Sequence, residues 1–392
     1  LWHWGIISIS RWTIGIHWWS IPFQLLLIIF FAVFSYKWIE TPLRKRNWSV
    51  NRLKTIFKGF FAIIFSTIFL IGLEKTYKGK LYLGNKKLNS NTHAPYFQTL
   101  LIDEDCYGMS FSEEYNHQKV LKKCLAKNKN NKQTLYFLGD SHTYSFWLGA
   151  EYIAKKTNSN LFTFSNGANL FPSIKRYRTN NKKNDLKIYK IMNSFEKKVL
   201  PNFSKGDVIF ITLRWNREFG ENWNRLPINK FRFFDQNNKV FIRDSAQEHF
   251  EEWLNILSDF TEYLSSKDVS VILSTPTPEF PQEKGKRCRE NSSQWFNKYS
   301  TENCSFQISK DFFIKEKGKY FNINKKLNEI SSKYDNLYVF DAFNVMCPDL
   351  LCKFSANGKL LYNDSNHISN YSARRILAPE MLKFLKENKI FD

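Results

Sequence analysis

Residues 134–143 read TLYFLGDSHT, and this stretch decides the fold. Its first five residues run without a charge, the pattern of a short strand buried on both faces. Gly139 follows and can take backbone angles that a Cβ forbids, so the chain can turn sharply there. Apolar residues at helical spacing over 144–156 then describe a helix. Strand, glycine turn and helix put Ser141 at the carboxyl end of a strand, where α/β sheets hold their ligands. A hydroxyl at that place has two uses. It can act as a nucleophile beside helix N–H groups able to hold an oxyanion, or it can simply cap the helix.

Outward from this point the alternation continues. Residues 160–164, 207–213 (DVIFITL), 269–274 (VSVILS) and 336–341 (NLYVFD) read as strands, and 246–266, 321–334 and 370–388 as helices. Short buried strands alternating with helices predict a parallel sheet covered on both faces, over residues 131–392. Just before the closing helix stands Asn363-Asp364-Ser365-Asn366-His367. A serine hydroxyl is a weak nucleophile. It needs a base, and the base needs an acceptor that fixes its tautomer. His367 and Asp364, on one turn, are side chains of those two kinds.

The N-terminal part is different. Residues 21–34 (IPFQLLLIIFFAVF), with Trp18, Trp19, Tyr36 and Trp38 as interfacial anchors, are long enough to span a bilayer, and 57–73 form a second candidate. A buried helical hairpin is the other reading. The connecting loop decides against it, with Lys37, Arg44, Lys45, Arg46, Arg52, Lys54 and Lys58 against Glu40 alone. Positive residues in short loops stay cytoplasmic, so the first helix runs inward and the second returns. Residues 1–75 are then a membrane segment and 76–130 an exported linker, with everything after about residue 75 outside the cytoplasm. The chain opens on Leu1 with apolar, aromatic residues, which reads as a piece of a longer membrane protein.

Composition narrows the classes further. The 392 residues include 58 Lys and Arg against 36 Asp and Glu, a net charge of +22. That invites a nucleic-acid partner, but the lysines are scattered through Asn/Lys-rich stretches such as 127–132 and 176–183, with no zinc finger or RNA-binding motif. They read as solvated surface, and nucleic acid is excluded. A hydrophobic fraction of 43% with 37 Phe excludes a disordered chain, and a mean hydropathy of −0.43 excludes one that is membrane throughout. The six cysteines suggest sequential disulfides, Cys106–Cys124, Cys288–Cys304 and Cys347–Cys352, and hence an oxidising compartment. No closely spaced Cys or His pair suggests a metal site.

GDSHT at 139–143 and NDSNHIS at 363–369 resemble the SGNH (GDSL-like) hydrolase superfamily. More narrowly, the chain resembles the SGNH domain fused to membrane acyltransferases of the acyltransferase type 3 family. LWHWG at 1–5 is similar to a Trp-His-Trp-Pro segment of that membrane domain, with Gly5 in place of Pro. FSYKWIETPLRKR at 34–46 resembles its Tyr-x-x-Ile-Glu-x-Pro-x-Arg segment. STPTPEF at 274–280 and the tail over 339–379, with Cys347 and Cys352, look like the fused SGNH domain.

The resemblance implies an SGNH-type three-layer α/β/α fold, preceded by the C-terminal transmembrane helices of an acyltransferase domain. It implies Ser141 as nucleophile, His367 as base and Asp364 as its orienter. Gly167 is the candidate oxyanion glycine. The family's Gly-x-Asn-Asp motif is absent after the third strand, where Leu213-Arg214-Trp215-Asn216 stands. Asn216 is a candidate oxyanion donor, with Arg214 a rival. Arg214 and Trp215 are also candidate substrate-binding residues; the alternatives are a carboxylate partner for Arg214 and a core position for Trp215. His142 is expected to pack locally, and His93, His117 and His249 to lie on the surface.

The implied function is an O-acyltransferase, in particular O-acetyl, acting on a cell-surface polysaccharide such as lipopolysaccharide or peptidoglycan. No cofactor is expected in these residues. The acyl group, ultimately from acetyl-CoA, would be delivered by the membrane acyltransferase domain in cis. The other partners are membrane lipids and the polysaccharide acceptor, and the place is the inner or cell membrane, with the C-terminal domain periplasmic. A carbohydrate O-acetyl esterase shares the same residues, and a non-catalytic glycan-binding module is the rival of another class.

Overall fold

The computed structural model describes residues 2–12, 16–46, 51–77, 124–128, 133–165, 170–219, 230–281, 284–285, 288, 304–313 and 319–390, except 236, 244 and 358. Most of the expected linker, with Cys106, His93 and His117, lies outside these, as does Gly167.

The chain forms two compact units. The first holds α1 (Trp2–Trp12), α2 (Ile21–Lys45) and α3 (Arg52–Tyr77). Helices α2 and α3 are long and apolar enough to cross a membrane, and their apolar side chains are exposed: Phe23 is 68% and Phe65 72% accessible. A buried hairpin would hide these surfaces. A π-helical segment, Ser35–Glu40, interrupts α2 ahead of Pro42.

The second unit begins with β1 (Leu125–Ala126), β2 (Thr134–Gly139), α4 (Ser141–Ser145) and α5 (Trp147–Thr157). It continues through β3 (Asn160–Ser165), β4 (Arg176–Arg178), α6 (Lys182–Val199), β5 (Val208–Thr212) and α7 (Trp215–Phe219). Then come β6 (Phe231–Phe234), β7 (Val240–Phe241), α8 (Ala246–Ser265), β8 (Ser270–Ser274) and β9 (Gln307–Ser309). It closes with α9 (Lys319–Ser331), β10 (Leu337–Phe340), α10 (Ala342–Met346), β11 (Leu351–Lys353) and α11 (Ala378–Glu387), the last preceded by a π-helical segment, Ala373–Leu377.

The central sheet runs β1-β3-β2-β5-β8-β10. All its pairs are parallel except the short β1 on β3. Strands β2, β3, β5 and β8 are buried on both faces, as their apolar runs require. From β2 the chain steps to β3, then reverses across β2 to β5, β8 and β10. Right-handed crossovers put α5 on one face and α6, α8 and α9 on the other. The reversal makes β2 and β5 the switch point, where a crevice opens at the carboxyl ends. Phe137 and Phe210 stack across it, with ring centroids 4.3 Å apart.

Two of the expected disulfides are present, Cys288–Cys304 and Cys347–Cys352, with all four sulfurs buried. Closing the first, a loop of 16 residues, stabilises the fold by about 3 kcal/mol in the chain-entropy account. Cys124 is also disulfide-bonded; its expected partner, Cys106, lies outside the described residues. One sequence reading is corrected here. Residues 176–183 are not plain solvated surface: they form β4, with Arg176 buried, and the start of α6. Strand β4 pairs with β6 and β6 with β7 in a separate three-stranded sheet.

Candidate active site

The turn after β2 is built for close approach. Gly139 has φ +147°, and a Cβ there would lie 2.1 Å from the Thr212 carbonyl oxygen. Thr143 completes the lock, its hydroxyl donating to the Thr212 carbonyl at 2.9 Å. Asp140, almost fully buried, takes the capping role: one carboxylate oxygen accepts the His142 N–H at 2.8 Å. The other accepts the Arg214 N–H, also at 2.8 Å, and so fastens the turn to the chain leaving β5. Burial pushes the Asp140 carboxyl up to about 6, against the pull of these two N–H donors. With Asp140 as cap, the Ser141 hydroxyl is left for another partner.

That partner is His367. Its Nε2 accepts from Ser141 Oγ at 2.8 Å, and its Nδ1–H donates to Asp364 Oδ2 at 2.7 Å. The other oxygen of Asp364 accepts the backbone N–H groups of Asn366 and His367, at 2.9 and 2.8 Å. One carboxylate thus folds the turn and fixes the imidazole tautomer. Burial alone would raise the Asp364 carboxyl. The His367 side chain and these N–H donors outweigh it and hold the group well below the ordinary carboxylate range. Ser369 caps the following helical segment, accepting the Ser372 N–H at 3.1 Å, so the imidazole sits on a turn anchored at both ends.

Of the readings left open for the residues after β5, the structure shows a core position for Trp215 and a carboxylate partner for Arg214. Trp215 is fully buried; its Nε1–H donates to the Ser274 carbonyl at 2.7 Å, and its ring packs on Trp253. This is the core position, away from a substrate-binding one. Arg214 pairs with a carboxylate, Glu279, through Nη2 at 2.7 Å and Nε at 3.3 Å. Asn216 is buried and turns its amide to the same Glu279, at 3.4 Å. Arg214 keeps about a quarter of its side chain accessible, at 26%, while Glu279 is 3% accessible.

Glu279 follows β8 and was missed in the sequence, although STPTPEF contains it. A carboxylate just beyond the carboxyl end of a strand is the signal that points to it. Its neighbour Phe280 donates its N–H to the Ser365 carbonyl at 2.7 Å, and Gly285 lies so close that a Cβ would stand 2.8 Å from the Ser365 nitrogen. His142 is also buried; its Nε2 donates to Asn366 Oδ1 at 3.2 Å, and its ring centroid lies 5.1 Å from that of His367. Burial and the charges of His367 and Arg214 hold the His142 imidazole well below its ordinary value. His249, expected on the surface, is fully buried instead, 3.0 Å from an Arg176 nitrogen. It shares the apolar stripe of α8 with Phe250, Trp253 and Leu257. Among the described residues no cluster of three His, Cys, Asp or Glu side chains is placed to hold a metal ion.

The arrangement supplies a hydroxyl, an imidazole that can take its proton, and a carboxylate that steadies the resulting imidazolium. Several solved structures resemble the chain, three of which follow. The periplasmic domain of the lipopolysaccharide acetyltransferase of Salmonella Paratyphi A is 12% identical, with a TM-score of 0.42, over 71% of this chain and 90% of that one. A Bacteroides fragilis protein provisionally named an acylhydrolase is 13% identical, with a TM-score of 0.35, over 68% of this chain and 94% of that one. One from Slackia heliotrinireducens, provisionally named an SGNH hydrolase, is 11% identical, with a TM-score of 0.36, over 64% and 98%. Such distant likenesses say nothing of substrate. No curated protein sequence matches the chain. The profile of the SGNH domain fused to AT3 domains matches residues 105–382, which span both the Ser141 turn and the His367 turn, and the chain belongs to that family.

Proposed function

We propose that this chain is an O-acyltransferase that passes an acyl group, most simply acetyl, through Ser141 to a hydroxyl of a bacterial cell-surface polysaccharide. The hydrogen-bonded line Ser141–His367–Asp364 carries the proposal, in a domain of the family fused to AT3 acyltransferase domains. His367 takes the Ser141 proton as Oγ attacks the acyl carbonyl, and gives it to the leaving group as the donor bond breaks. An ester on Ser141 remains. His367 then takes the proton of the acceptor hydroxyl, whose oxygen attacks the ester, and returns it to Ser141. Asp364 holds the imidazole in place through both half-reactions and stabilises its charged form. Each N–H donor to the tetrahedral oxyanion would lower the barrier by about 3 kcal/mol; the Ser141 N–H is the first candidate.

Helices α2 and α3 support a membrane setting, and the disulfides support an exported domain. The acyl group would come from the membrane acyltransferase domain in cis. Transfer instead of hydrolysis needs a bound acceptor that outcompetes water.

The full chain in detergent, and its Ser141→Ala variant, are given p-nitrophenyl acetate with a panel of envelope glycans, and the products are read by mass spectrometry. Ser141-dependent acetyl-glycan is the expected result. Ser141-dependent acetate release that no glycan alters would make the chain an esterase. Equal turnover by both proteins would refute the role of Ser141.

A further inference from the structure

We propose that the sheet β4-β6-β7 is an acceptor platform for a polysaccharide whose sugars carry carboxylates. The proposal rests on the reading of the chain as a glycan-modifying protein, and it adds the substrate class.

Topology supplies the first reason. Strand β4 lies in the crossover that leaves β3, and β6 and β7 lie in the crossover that leaves β5. Those two strands flank β2, and their ends are level with it: Gly139 lies opposite both Ser165 and Thr212. The small sheet is therefore made from the two chain segments that emerge on either side of the Ser141 turn. A buried ion pair, Arg176 to Glu218, ties β4 to α7. Helix α7 begins directly after Arg214, whose N–H is held by Asp140.

The second reason is what each face carries. The pairings Arg176 with Phe233 and Phe233 with Phe241 define the face that covers the buried arginine and His249. Tyr177 pairs with Arg232 and Phe234 with Val240 on the other face. Side chains alternate along strands, so that face gathers Tyr177, Arg232, Phe234 and Val240. Val240 is 43% exposed, and the rings of Tyr177 and Phe234 lie 5.7 Å apart and only partly buried. The Lys175 ammonium rests 4.4 Å from the Phe234 centroid, and that of Lys182 5.1 Å from Tyr177. None of the three strands contains an Asp or Glu.

The occupant follows from this chemistry. Aromatic rings offer flat apolar surface to the C–H faces of pyranose rings. Lys175 stands beside one ring and Lys182 beside the other, and Arg232 lies on the same face opposite Tyr177. A cation beside each ring suits sugars that each carry one carboxylate, whereas a phosphate is gripped best by several donors on one group. The lysines sit on flexible stems and can swing from the ring to the carboxylate as the sugar takes the ring face. The net charge of +22 steers a polyanion toward the protein.

The test is equilibrium binding to the Ser141→Ala variant of the 392-residue chain in detergent. Oligogalacturonate is titrated against dextran of equal length and against inorganic polyphosphate. Oligogalacturonate should bind most tightly and lose affinity as salt rises. Tyr177→Ala with Phe234→Ala, and separately Lys175→Gln with Lys182→Gln, should each weaken it about tenfold. Lys182 is exposed, and Lys175 is partly buried with its ammonium donating to Asn238 Oδ1 at 2.5 Å, a bond that the amide of Lys175→Gln can replace; the unfolding midpoint of the pair should therefore stay put, which separates lost binding from lost folding. Unchanged affinity in the lysine variant, equal binding of dextran, tighter binding of polyphosphate, or no binding at all would each overturn the proposal. Ser141 is absent from the titrated protein, so this result and the transfer assay fail independently.

Discussion

Ser141 and His367 are 226 residues apart in the chain and 2.8 Å apart in the structure. Both were legible because each sits in a short local pattern: a glycine turn after a buried strand, and an Asp-x-x-His turn before a helix. What local pattern could not show is who partners whom. Asp140 and Glu279 are fixed by contacts across 74 and 65 residues, and no spacing rule reports those. His142 was expected to pack locally, yet its hydrogen-bond partner is Asn366, 224 residues away. A histidine buried neutral binds fewer protons than it does in the unfolded chain below about pH 6.5, so it makes stability fall as pH drops through that value. His142→Gln keeps a donor for Asn366 and removes the titration. Chemical unfolding of the variant should lose about 1.4 kcal/mol less per pH unit below pH 6 than the parent. Parallel curves would show that the imidazole is not held neutral.

At the scale of elements, four segments meet at the site: the β2 turn, the chain after β5, the chain after β8 and the His367 turn. Arg214 and Glu279 join the second to the third, and Phe280 joins the third to the fourth through the Ser365 carbonyl. Removing one partner of a buried ion pair costs about 3–5 kcal/mol, and less here because Arg214 keeps some contact with water. Glu279→Ala should therefore cost about 2–3 kcal/mol of stability. It should lower kcat for p-nitrophenyl acetate at least tenfold, with little change in KM, by loosening the base against the nucleophile. Glu279→Gln, which leaves an acceptor for Arg214, should recover part of the loss. A variant of normal kcat would show that the clamp does not position His367. The strands and long helices were legible from their apolar runs and periodicity. Helix α6 and the sheet β4-β6-β7 were not, because a Lys/Asn-rich surface masks the helix and strands of two to four residues carry no period.

For the whole molecule, the sequence separates an apolar N-terminal part from a basic, disulfide-bonded α/β unit. The positive residues at the end of α2, at Arg46 and in the first turns of α3 predict which side each helix end occupies. Alkaline phosphatase fused after Asp392 should be active in a bacterial host, because it folds only outside the cytoplasm, and the same enzyme fused after Arg46 should be inactive. The reverse pattern would invert the topology. The sequence reads the excess lysines as solvated surface; only the fold shows that Lys175 and Lys182 gather on one sheet face beside aromatic rings.

The central claim is that Ser141 is a nucleophile activated by His367. Its most direct test is the mass of the intact 392-residue chain after brief exposure to a fluorophosphonate. The account predicts one adduct, mapped to Ser141, absent from Ser141→Ala and slowed on the order of a thousandfold in His367→Ala. A folded parent protein that takes no label, or that labels equally well without His367, would contradict it.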